Sequence, residues 1–370
     1  MDRLTHPLRA RPVPLNVARA GSLERVSVVI PCFNYGRYLP DAVSSALAQE
    51  GADVEVIIVD DASTDSSRAV AERLAAASAR VNVLAHAFNR GPVATFNEGL
   101  AAATGAYIIR LDADDLLTPG SVARALALFN AFPSVGLVYG HPVHFSGPRP
   151  SRYRARVRSW QVWPGNDWLA GRCDSARNTI TAPEAIVRVS ALDGAGRWQR
   201  ELRHTHDFEL WLRVAAVSDV GHLRGADQAW HRVHAGSLSS SIEPLDDLHE
   251  RWAAFQMLFG LDRQAIEGSL AIEDGPTLLA RAKMALAREA VMLASREYDR
   301  GGGSMTAAAE FRRTAISLVR DPRTIPGWGG LTRRMRRGPS SVSPFALAPR
   351  LSRHVNARIR ETKWRYWGVN

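Results

Sequence analysis

The densest group of side chains able to do chemistry is Asp112-Ala113-Asp114-Asp115. Three carboxylates within four residues repel one another, so a folded chain tolerates them mainly beside a cation or in good contact with water. Their hard oxygen atoms suit Mg²⁺ or Mn²⁺, and such a cation in turn holds phosphate groups. The alternative interpretation is an acidic turn that caps the following helix near Pro119.

A second acidic group, Asp60 and Asp61, directly follows an apolar run and precedes Ser63-Thr64-Asp65. Either Asp61 or Ser63 would serve as a helix N-cap with no further role. Capping by one aspartate leaves the other to accept hydrogen bonds from a base or a ribose. Further along, Asn89-Arg90-Gly91 has the composition of a simple turn.

Alternating apolar runs and helical periodicities predict the elements that must position these side chains. The predicted strands are residues 26–31, 54–59, 81–84 and 106–111, and the predicted helices are residues 38–49, about 63–74 and 92–103. This β-α-β-α-β-α-β order is typical of a doubly wound α/β sheet. In such sheets ligands bind beyond the carboxyl ends of the strands, so Asn34, Asp60–Asp61 and Asp112–Asp115 should meet at one crevice.

Several nucleotide-binding and hydrolytic classes lack their motifs here. The first strand is followed by neither G-x-G-x-x-G nor G-x-x-x-x-G-K-[ST], which argues against a dinucleotide dehydrogenase and a P-loop NTPase. The chain has no G-x-S-x-G elbow, which argues against an α/β-hydrolase. A nucleotidyltransferase shares acidic strand ends but usually needs a phosphate loop rich in Gly, Arg and Lys, and residues 31–38 do not supply one.

Taken together, four segments resemble the family 2 glycosyltransferases of the GT-A fold over about residues 24–145. The segments are Val28-Val29-Ile30-Pro31-Cys32-Phe33-Asn34-Tyr35, Val59-Asp60-Asp61-Ala62-Ser63-Thr64-Asp65, Asn89-Arg90-Gly91 with Asn97 and Gly99, and Leu111-Asp112-Ala113-Asp114-Asp115. Each motif is weak alone, and their order and spacing make the set specific.

The resemblance implies an enzyme that takes a sugar from a nucleotide-diphospho-sugar with the help of Mg²⁺ or Mn²⁺. It implies that Asp112 and Asp114 are the D-x-D pair, with Asp114 the direct metal ligand and Asp112 nearer the ribose. The residues expected to contact the donor are Pro31, Phe33, Asn34, Asp61, Arg90, Asp112 and Arg232. One departure is Phe96, which stands where the family often has an arginine just before the asparagine at Asn97. Either the phosphate or base contact supplied there is absent, or Arg90 replaces it.

The segment from His206 to Arg213 resembles the family's Glu-Asp-x-x-Leu-Trp motif, with His206 where Glu is usual. The resemblance implies that Asp207 is the general base of an inverting transfer. This role is chemically sensible because the attacking hydroxyl must lose its proton, and a carboxylate within hydrogen-bond reach can accept it. The alternative is an acid that merely interacts with the helix dipole.

The segment from His231 to Ser239 resembles the family's Tyr-Arg-x-His-x-x-x-x-Ser motif. The resemblance implies that His234 completes the metal shell or contacts the leaving diphosphate, and that Arg232 pairs with phosphate oxygens. The alternative is a pair of surface histidines in a loop. Four tryptophans lie nearby in sequence; most are expected in the core, and at most one or two are expected to stack on acceptor sugars. They are Trp160, Trp163, Trp168 and Trp198.

The positive charge is concentrated at the two ends of the chain, whose net charge is +10. Residues 331–370 hold ten Lys and Arg against Glu361, and residues 1–25 hold five Arg against two acids, so the middle of the chain is slightly acidic. This distribution argues against a nucleic-acid-binding body. Apolar residues recur every four positions among arginines at Leu351, Val355 and Ile359. Three aromatic residues lie close to the end of the sequence, at Trp364, Tyr366 and Trp367. A basic amphipathic helix with interfacial aromatics predicts contact with an anionic membrane surface, the alternatives being a solvated tail or a protein-docking segment.

These observations predict a basic, proline-containing arm at residues 1–24 and a GT-A catalytic domain at 25–240, divided into a nucleotide-sugar half (25–145) and an acceptor half (146–240). A helical region at 241–330 and a basic amphipathic tail at 331–370 follow. Two cysteines and the lack of a signal sequence or an apolar span predict a cytoplasmic protein, peripheral at the inner face of the plasma membrane.

The expected activity is an inverting, metal-dependent transfer of a sugar to a hydroxyl of a glycan or lipid-linked acceptor, in cell-surface polysaccharide biosynthesis. The alternative is a catalytically inactive, membrane-associated subunit that binds a glycan or a nucleotide on the same fold. The departures at Phe96 and His206 are its only support.

Overall fold

The computed structural model of the 370-residue chain describes residues 7–13, 23–196, 202–234, 236, 242–260, 272, 274–300 and 303–338. The predicted tail from residue 339 onward, Trp198 and the end of the His231–Ser239 motif lie outside the described residues.

The described strands form one ten-stranded sheet. They are β1 (Leu8–Ala10), β2 (Arg25–Cys32), β3 (Asp53–Asp60), β4 (Val81–Ala85), β5 (Tyr107–Arg110), β6 (Leu116–Leu117), β7 (Val135–Phe145), β8 (Ser159–Trp163), β9 (Ile186–Arg188) and β10 (Asp219–Arg232). Their order is β1-β8-β10-β7-β9-β5-β2-β3-β4, and β6 pairs with β10.

The half of the sheet that carries the predicted donor site is parallel. Strand β2 pairs with β3 and β5, and β3 pairs with β4, all in parallel. The other half is mixed, because β9 joins β5 and β7 in antiparallel fashion while β7 and β10 run parallel. The predicted doubly wound α/β sheet is therefore present, with the antiparallel pairings in the half that follows residue 110.

The described helices flank this sheet and continue beyond it. They are α1 (Leu39–Leu47), α2 (Ser67–Ala77), α3 (Pro92–Ala102), α4 (Ser121–Ala131), α5 (Gly165–Ser175), α6 (Val189–Ala195), α7 (His206–Val217), α8 (Pro244–Phe259), α9 (Gly275–Asp299), α10 (Met305–Leu318) and α11 (Trp328–Arg337). The predicted helix at about residue 63 begins later, at Ser67, because the Asp65 carboxylate accepts the Ser67 amide proton at 2.8 Å.

Strand β2 shows why the sheet is covered on both faces. Its residues Val26, Val28 and Ile30 are fully buried in a cluster with apolar residues of α1 and α4. Val29 points to the opposite face, because successive side chains alternate across a strand. There α3 lies so close that a Cβ on Gly99 would come within 2.4 Å of a Val29 methyl carbon and 2.9 Å of a Val59 methyl carbon. Only glycine lets this helix approach the sheet so closely.

Among the described residues the chain forms two compact units. Those within Met1–Leu169 and Thr179–Ser241 form the first, which contains the sheet. Those within Ala170–Asn178, Ile242–Arg263 and Ile272–Asn370 form the second, in which α8, α10 and α11 pack against α9. In the second unit, the Arg251 guanidinium bonds Asp247 and Glu289.

The N-terminal arm and the basic tail differ from their predicted limits. Residues Leu8–Ala10 are not a separate arm, because they pair with β8 as the edge strand of the sheet. Residues 331–337 continue α11, in which Arg334 forms an ion pair with Asp299 of α9. Within the described part of the chain, no helix combines the length and the apolar character that crossing a bilayer requires.

Candidate active site

The acidic segment after β5 places its three carboxylates in different surroundings. The Asp112 side chain is 38% exposed, the Asp114 side chain is 13% exposed, and Asp115 is completely buried. Asp115 accepts the amide proton of Arg232 at 2.8 Å and lies 2.9 Å from Nδ1 of His231. The segment therefore divides into two side chains at the surface of the site and one that joins it to β10.

Asp115 and His231 shift each other's pKa where the acidic loop meets β10. Burial raises the pKa of Asp115 to about 7. Burial alone would lower the pKa of His231, but the hydrogen bond and negative charge of Asp115 outweigh it and raise the pKa to about 9. The hydrogen bond between the two side chains holds the acidic loop against β10.

Asp114 and His234 meet at the surface of the site. Nε2 of His234 lies 2.9 Å from Oδ2 of Asp114, and the Gly236 amide donates to Nδ1 of the same ring at 3.1 Å. Because Nδ1 accepts, Nε2 carries the proton and donates it to Asp114. Burial, and then the charge of Asp112, raise the pKa of Asp114. The loop of His234 therefore lies against Asp114, and the role of the pair toward a metal stays a prediction.

The side chains of Asp114 and His234 suit a divalent cation that takes its other ligands from substrate and water. Mg²⁺ is usually held by one or two carboxylates together with substrate phosphates, rather than by a cage of protein ligands. The described residues contain no group of three or more His, Cys, Asp and Glu side chains arranged to hold a metal ion. The pair fits a cation whose remaining ligands come from the donor and from water, and such a cation would take the place of the shared proton.

Arg110, at the end of β5, connects the acidic loop to the predicted base. The Nε atom of Arg110 donates to Oδ1 of Asp112 at 3.1 Å, and its Nη1 atom donates to Oδ1 of Asp207 at 3.1 Å. The arginine side chain is only 5% exposed, and its positive charge lies between the two carboxylates. Asp112 and Asp207, 95 residues apart in the chain, are thus held one guanidinium group apart.

His206 completes the surroundings of Arg110. Its Nδ1 atom faces the Arg203 carbonyl oxygen at 3.2 Å, and since a carbonyl only accepts, Nδ1 carries the proton. Its Nε2 atom then accepts from Nη1 of Arg110. Burial lowers the pKa of His206, which keeps the ring neutral. A neutral acceptor therefore stands where the family usually has a second carboxylate.

Asp207 lies in the first turn of α7 and has a 16% exposed side chain. The positive end of the helix dipole and the Arg110 guanidinium both stabilise its negative charge. Both features favour the charged form that a proton acceptor at this place requires.

Asp61 is engaged within the protein on both oxygen atoms. Oδ1 accepts the Arg90 amide proton at 2.7 Å and lies 2.6 Å from Nδ1 of His86, while Oδ2 accepts the Gly91 amide proton at 2.9 Å. These bonds shape the loop that leads into α3, where Gly91 has a φ of 83°. The contact of Asp61 with a nucleoside stays a prediction, whereas the structure shows its hydrogen bonds to the loop that leads into α3.

The loop after β2 carries the other predicted donor contacts. Pro31 is half-buried in β2 and Phe33 is 42% exposed. Asn34 has a φ of 61°, and its side-chain oxygen accepts the amide protons of Thr64 at 2.8 Å and Asp65 at 3.2 Å. Asn34 thus ties the loops after β2 and β3 together, so the carboxyl ends of these two strands share one rim.

Arg90 and Phe96 have partners that the sequence did not indicate. The Arg90 guanidinium bonds Glu98 at 2.5 Å. Phe96 is fully buried, and the Arg110 guanidinium lies 5.6 Å from the centre of its ring. The apolar ring of Phe96 therefore packs against Arg110, so the residue that departs from the family pattern helps to hold the charged cluster in place.

The guanidinium of Arg232 holds protein backbone. Its Nε atom donates to the Asp114 carbonyl at 3.0 Å, and its Nη1 atom donates to the Gly147 carbonyl at 2.8 Å. The rings of Tyr38 and Phe145 lie 4.6 and 4.5 Å from it. Arg232 thus fixes the loop that presents Asp114.

The expected aromatic platform for sugars is not formed by the tryptophans that the structure describes. Trp160, Trp163 and Trp168 are each at most 4% exposed. Trp160 packs into the core beneath β8, and its ring meets Phe132 edge-on. Buried rings offer no face to a ligand, so these three tryptophans belong to the core, as was expected of most of the four.

The sequence analysis missed Arg110 and His86. Arg110 had a readable signal, because a charged residue ends an otherwise apolar strand two residues before Asp112, which places both on the same side of an extended chain. His86 had none, because it is a single histidine in a loop and its contacts to Asp61 and Glu98 depend on the packing of the sheet.

We expect Arg110→Lys to lower kcat roughly ten- to a hundredfold with little change in KM for the donor, since small errors in catalytic geometry have effects of this size. A lysine keeps the charge but cannot donate to Asp112, His206 and Asp207 at once. Steady-state kinetics and a pH–rate profile measure the effect.

Arg188→Lys is the matched control, because Arg188 also makes three hydrogen bonds in the sheet, to Val135, Tyr107 and Phe129, away from the carboxylates. Equal kcat losses in the two variants would show that Arg110 acts only through stability.

Residues 27–192 match the family model described as Glycosyl transferase family 2. The match begins in β2 and ends in α6, so it includes Asp61, Asp112 and Asp114. It does not extend to Asp207 or His234.

Related proteins are glycosyltransferases and polysaccharide biosynthesis proteins. An uncharacterized glycosyltransferase of Nostoc sp. is 41% identical over 116 residues, which are 31% of this chain and 36% of that protein. The succinoglycan biosynthesis protein ExoU of Rhizobium meliloti is 28% identical over 69% of this chain and 73% of its own length. The chondroitin synthase of Pasteurella multocida is 33% identical over 63% of this chain but only 23% of its own length.

The fold is shared with a solved structure. S. aureus TarS, residues 1–349 in complex with UDP, superimposes with a TM-score of 0.54 and 15% identity over 84% of this chain and 87% of that chain. This likeness confirms the predicted GT-A type of fold. Over residues 27–192, the chain is similar to the family 2 glycosyltransferases.

Proposed function

We propose that the protein is an inverting glycosyltransferase that moves a sugar from a nucleotide-diphospho-sugar to a hydroxyl of a glycan or lipid-linked acceptor, in the synthesis of a cell-surface polysaccharide. The observation that carries the proposal is the Arg110 guanidinium, which hydrogen-bonds both Asp112 and Asp207 at 3.1 Å. The carboxylate of the donor motif and a carboxylate able to accept a proton therefore belong to one site.

The donor class is supported by the relatives. TarS was solved with UDP and with UDP-GlcNAc, and the second complex has a TM-score of 0.50 to this chain. ExoU and chondroitin synthase carry names of polysaccharide synthesis. The pair of Asp114 and His234 fits a Mg²⁺ or Mn²⁺ ion, which when bound would neutralise the diphosphate leaving group.

In the proposed reaction Asp207 accepts the proton of the acceptor hydroxyl while the oxygen attacks the anomeric carbon. The bond from that carbon to the nucleoside diphosphate breaks on the opposite face, which inverts the configuration in a single displacement. Arg110 keeps Asp207 ionised and oriented, and neutral His206 accepts from Arg110 without adding a further negative charge. Arg232 holds the Asp114 backbone so that the donor-binding loop is ready before the donor arrives.

The attachment to a membrane remains a proposal. Residues 331–370 contain ten Lys and Arg and one acid, which supports peripheral binding to an anionic cytoplasmic membrane face. A protein at that place would meet a lipid-linked acceptor on the side where nucleotide-sugars are made.

We expect one class of nucleotide-sugar to raise the melting temperature of the purified protein in the presence of Mn²⁺ and much less without it. A ligand at about a hundred times its Kd adds roughly 2.7 kcal/mol to the free energy of unfolding. A thermal-shift panel of UDP-, GDP-, dTDP- and CDP-sugars, with and without Mn²⁺, gives the measurement.

The stabilising donor should also be hydrolysed slowly by the same preparation, which is assayed by release of the nucleoside diphosphate. A protein that is stabilised but releases none would fit the alternative of a non-catalytic binding subunit. If no sugar nucleotide of the panel stabilises the protein and the protein hydrolyses none of them, the proposed function is contradicted.

A further inference from the structure

The stretch between β7 and β8 is strongly basic and has no acid. From residue 146 to residue 163 the chain holds five arginines and not one Asp or Glu. They are Arg149, Arg152, Arg154, Arg156 and Arg158. Four of them occur at every second position, which in an extended chain places their side chains on one side.

The structure shows this segment extended beside β10. The Arg158 amide donates to the Arg224 carbonyl at 2.8 Å, and the Asp227 amide donates to the Arg154 carbonyl at 2.8 Å. Val157 packs against the core and Tyr153 packs edge-on against Trp230, while the alternating arginines are exposed. Neighbouring arginines therefore lie about 7 Å apart along a line.

A further arginine comes to the same place from the start of the chain. Strand β1 pairs with β8, which brings Arg11 and Pro12 beside the extended segment. Together they enclose an open groove of about 830 Å³, here called the arginine groove, lined by Arg11, Pro12, residues 154–158 and Gly225. Four arginines thus line one concave surface.

Most of this charge is uncompensated. The Arg154 guanidinium is paired with buried Asp227 at 2.5 Å. Arg11, Arg156 and Arg158 have no carboxylate within 4.0 Å anywhere in the part of the chain that the structure describes. Cations held close together without counter-charges repel one another, so an anionic ligand in the groove is favoured.

The arginine groove is connected to the active site by the same segment. Gly147, at its beginning, accepts from Arg232, which also holds the Asp114 carbonyl. Seven residues separate Gly147 from Arg154, so even a fully extended chain places the near end of the groove within roughly 25 Å of this contact. An acceptor several sugars long would reach from one to the other.

We propose that the arginine groove binds the growing acceptor, and that this acceptor is an acidic glycan with repeated carboxylate or phosphate groups. This inference rests on the proposed function, because only a glycosyltransferase has an acceptor to guide. Unpaired Arg156 and Arg158, about 7 Å apart along the segment, and Arg11 beside them match a chain of repeated negative charges better than a single anion.

Two other polyanionic partners fit the groove less well. A single-stranded nucleic acid usually stacks its bases on aromatic rings, and the residues lining the groove include none. A membrane is a broad surface, whereas the groove is concave.

The test compares full-length wild type with the double variant Arg156→Gln/Arg158→Gln. Binding is measured by thermophoresis to polygalacturonate, which carries carboxylates, to inorganic polyphosphate and to neutral dextran. We expect wild type to bind at least one of the two anionic chains and not dextran, and the double variant to bind that chain at least tenfold more weakly. Arg68→Gln/Arg73→Gln on exposed α2 removes the same charge elsewhere and should bind like wild type.

Three results would overturn the proposal. In the first, the groove variant binds the anionic chains as tightly as wild type. In the second, the α2 control loses as much affinity for them as the groove variant does. In the third, wild type prefers oligo-dT, or vesicles of phosphatidylcholine and phosphatidylserine in equal amounts, to the anionic chains, and the groove variant loses that binding. Donor hydrolysis should be unchanged in the groove variant, since neither arginine contacts Asp112, Asp114 or Asp207. Failure of wild type to hydrolyse any donor would instead contradict the proposed function.

Discussion

Replacing Asp207 by asparagine should lower turnover by about two to four orders of magnitude while donor binding survives. General bases contribute roughly 10²- to 10⁴-fold to the rate of an enzyme, and an amide of the same shape cannot accept the proton of the acceptor hydroxyl. Asparagine still accepts a hydrogen bond from Arg110, so the loop and the donor site should keep their form. Transfer rates and donor-induced thermal shifts are measured on the same preparation.

The control for this variant is Asp41→Asn. Asp41 is also an acid in the first turn of a helix, α1, but it is exposed and away from Arg110. If Asp207 served only the helix dipole, both variants would lose about 0.3–1 kcal/mol of stability and neither would lose turnover. Unchanged turnover in Asp207→Asn would remove Asp207 from the mechanism.

Replacing Asp114 by alanine should abolish the dependence of donor binding on Mn²⁺. Asp114 and His234 are the two side chains placed to hold a cation against the diphosphate, and a histidine alone is a poor site for a hard ion. We expect donor affinity in Mn²⁺ to fall at least tenfold and to equal the affinity without the metal. Isothermal titration of the stabilising donor, with Mn²⁺ and with a chelator, measures both values.

Asp53→Ala is the matched control, because Asp53 is an exposed carboxylate at the opposite end of β3. It should bind donor with the wild-type dependence on Mn²⁺. An Asp114→Ala protein that still binds donor more tightly with Mn²⁺ than without it would contradict the assignment of Asp114. The His234→Ala variant then distinguishes a metal held by the histidine from one held elsewhere.

The position of Arg110 explains how this chain departs from the family 2 glycosyltransferase pattern without losing a charged cluster. The usual second carboxylate is replaced by His206, and the usual arginine near Asn97 is replaced by Phe96. Both replacements contact Arg110: His206 accepts a hydrogen bond from it, and the apolar ring of Phe96 packs against it. The two departures, which in sequence supported an inactive protein, are therefore parts of one arrangement around a buried guanidinium.

The sequence by itself determined the strand and helix order and the acidic ends of β3 and β5. These features are local, because apolar alternation, turn residues and strand-end carboxylates are each read within about ten consecutive residues. The D-x-D segment and Asp207 were found because each belongs to a short motif. The edge strand β1 was missed for the same reason, because three residues with one arginine carry no periodicity and depend on β8 as a partner.

Only the tertiary structure decided which of these groups touch. Asp115 meets His231 across 116 residues, Arg110 meets Asp207 across 97, and Arg11 comes to the groove of Arg156 and Arg158 from the start of the chain. The burial of Trp160, Trp163 and Trp168 was likewise unreadable, because an aromatic ring looks the same in sequence whether it packs in a core or faces a ligand. Contacts of this kind depend on how the strands and loops pack, and a short window of sequence carries no information about residues so far apart.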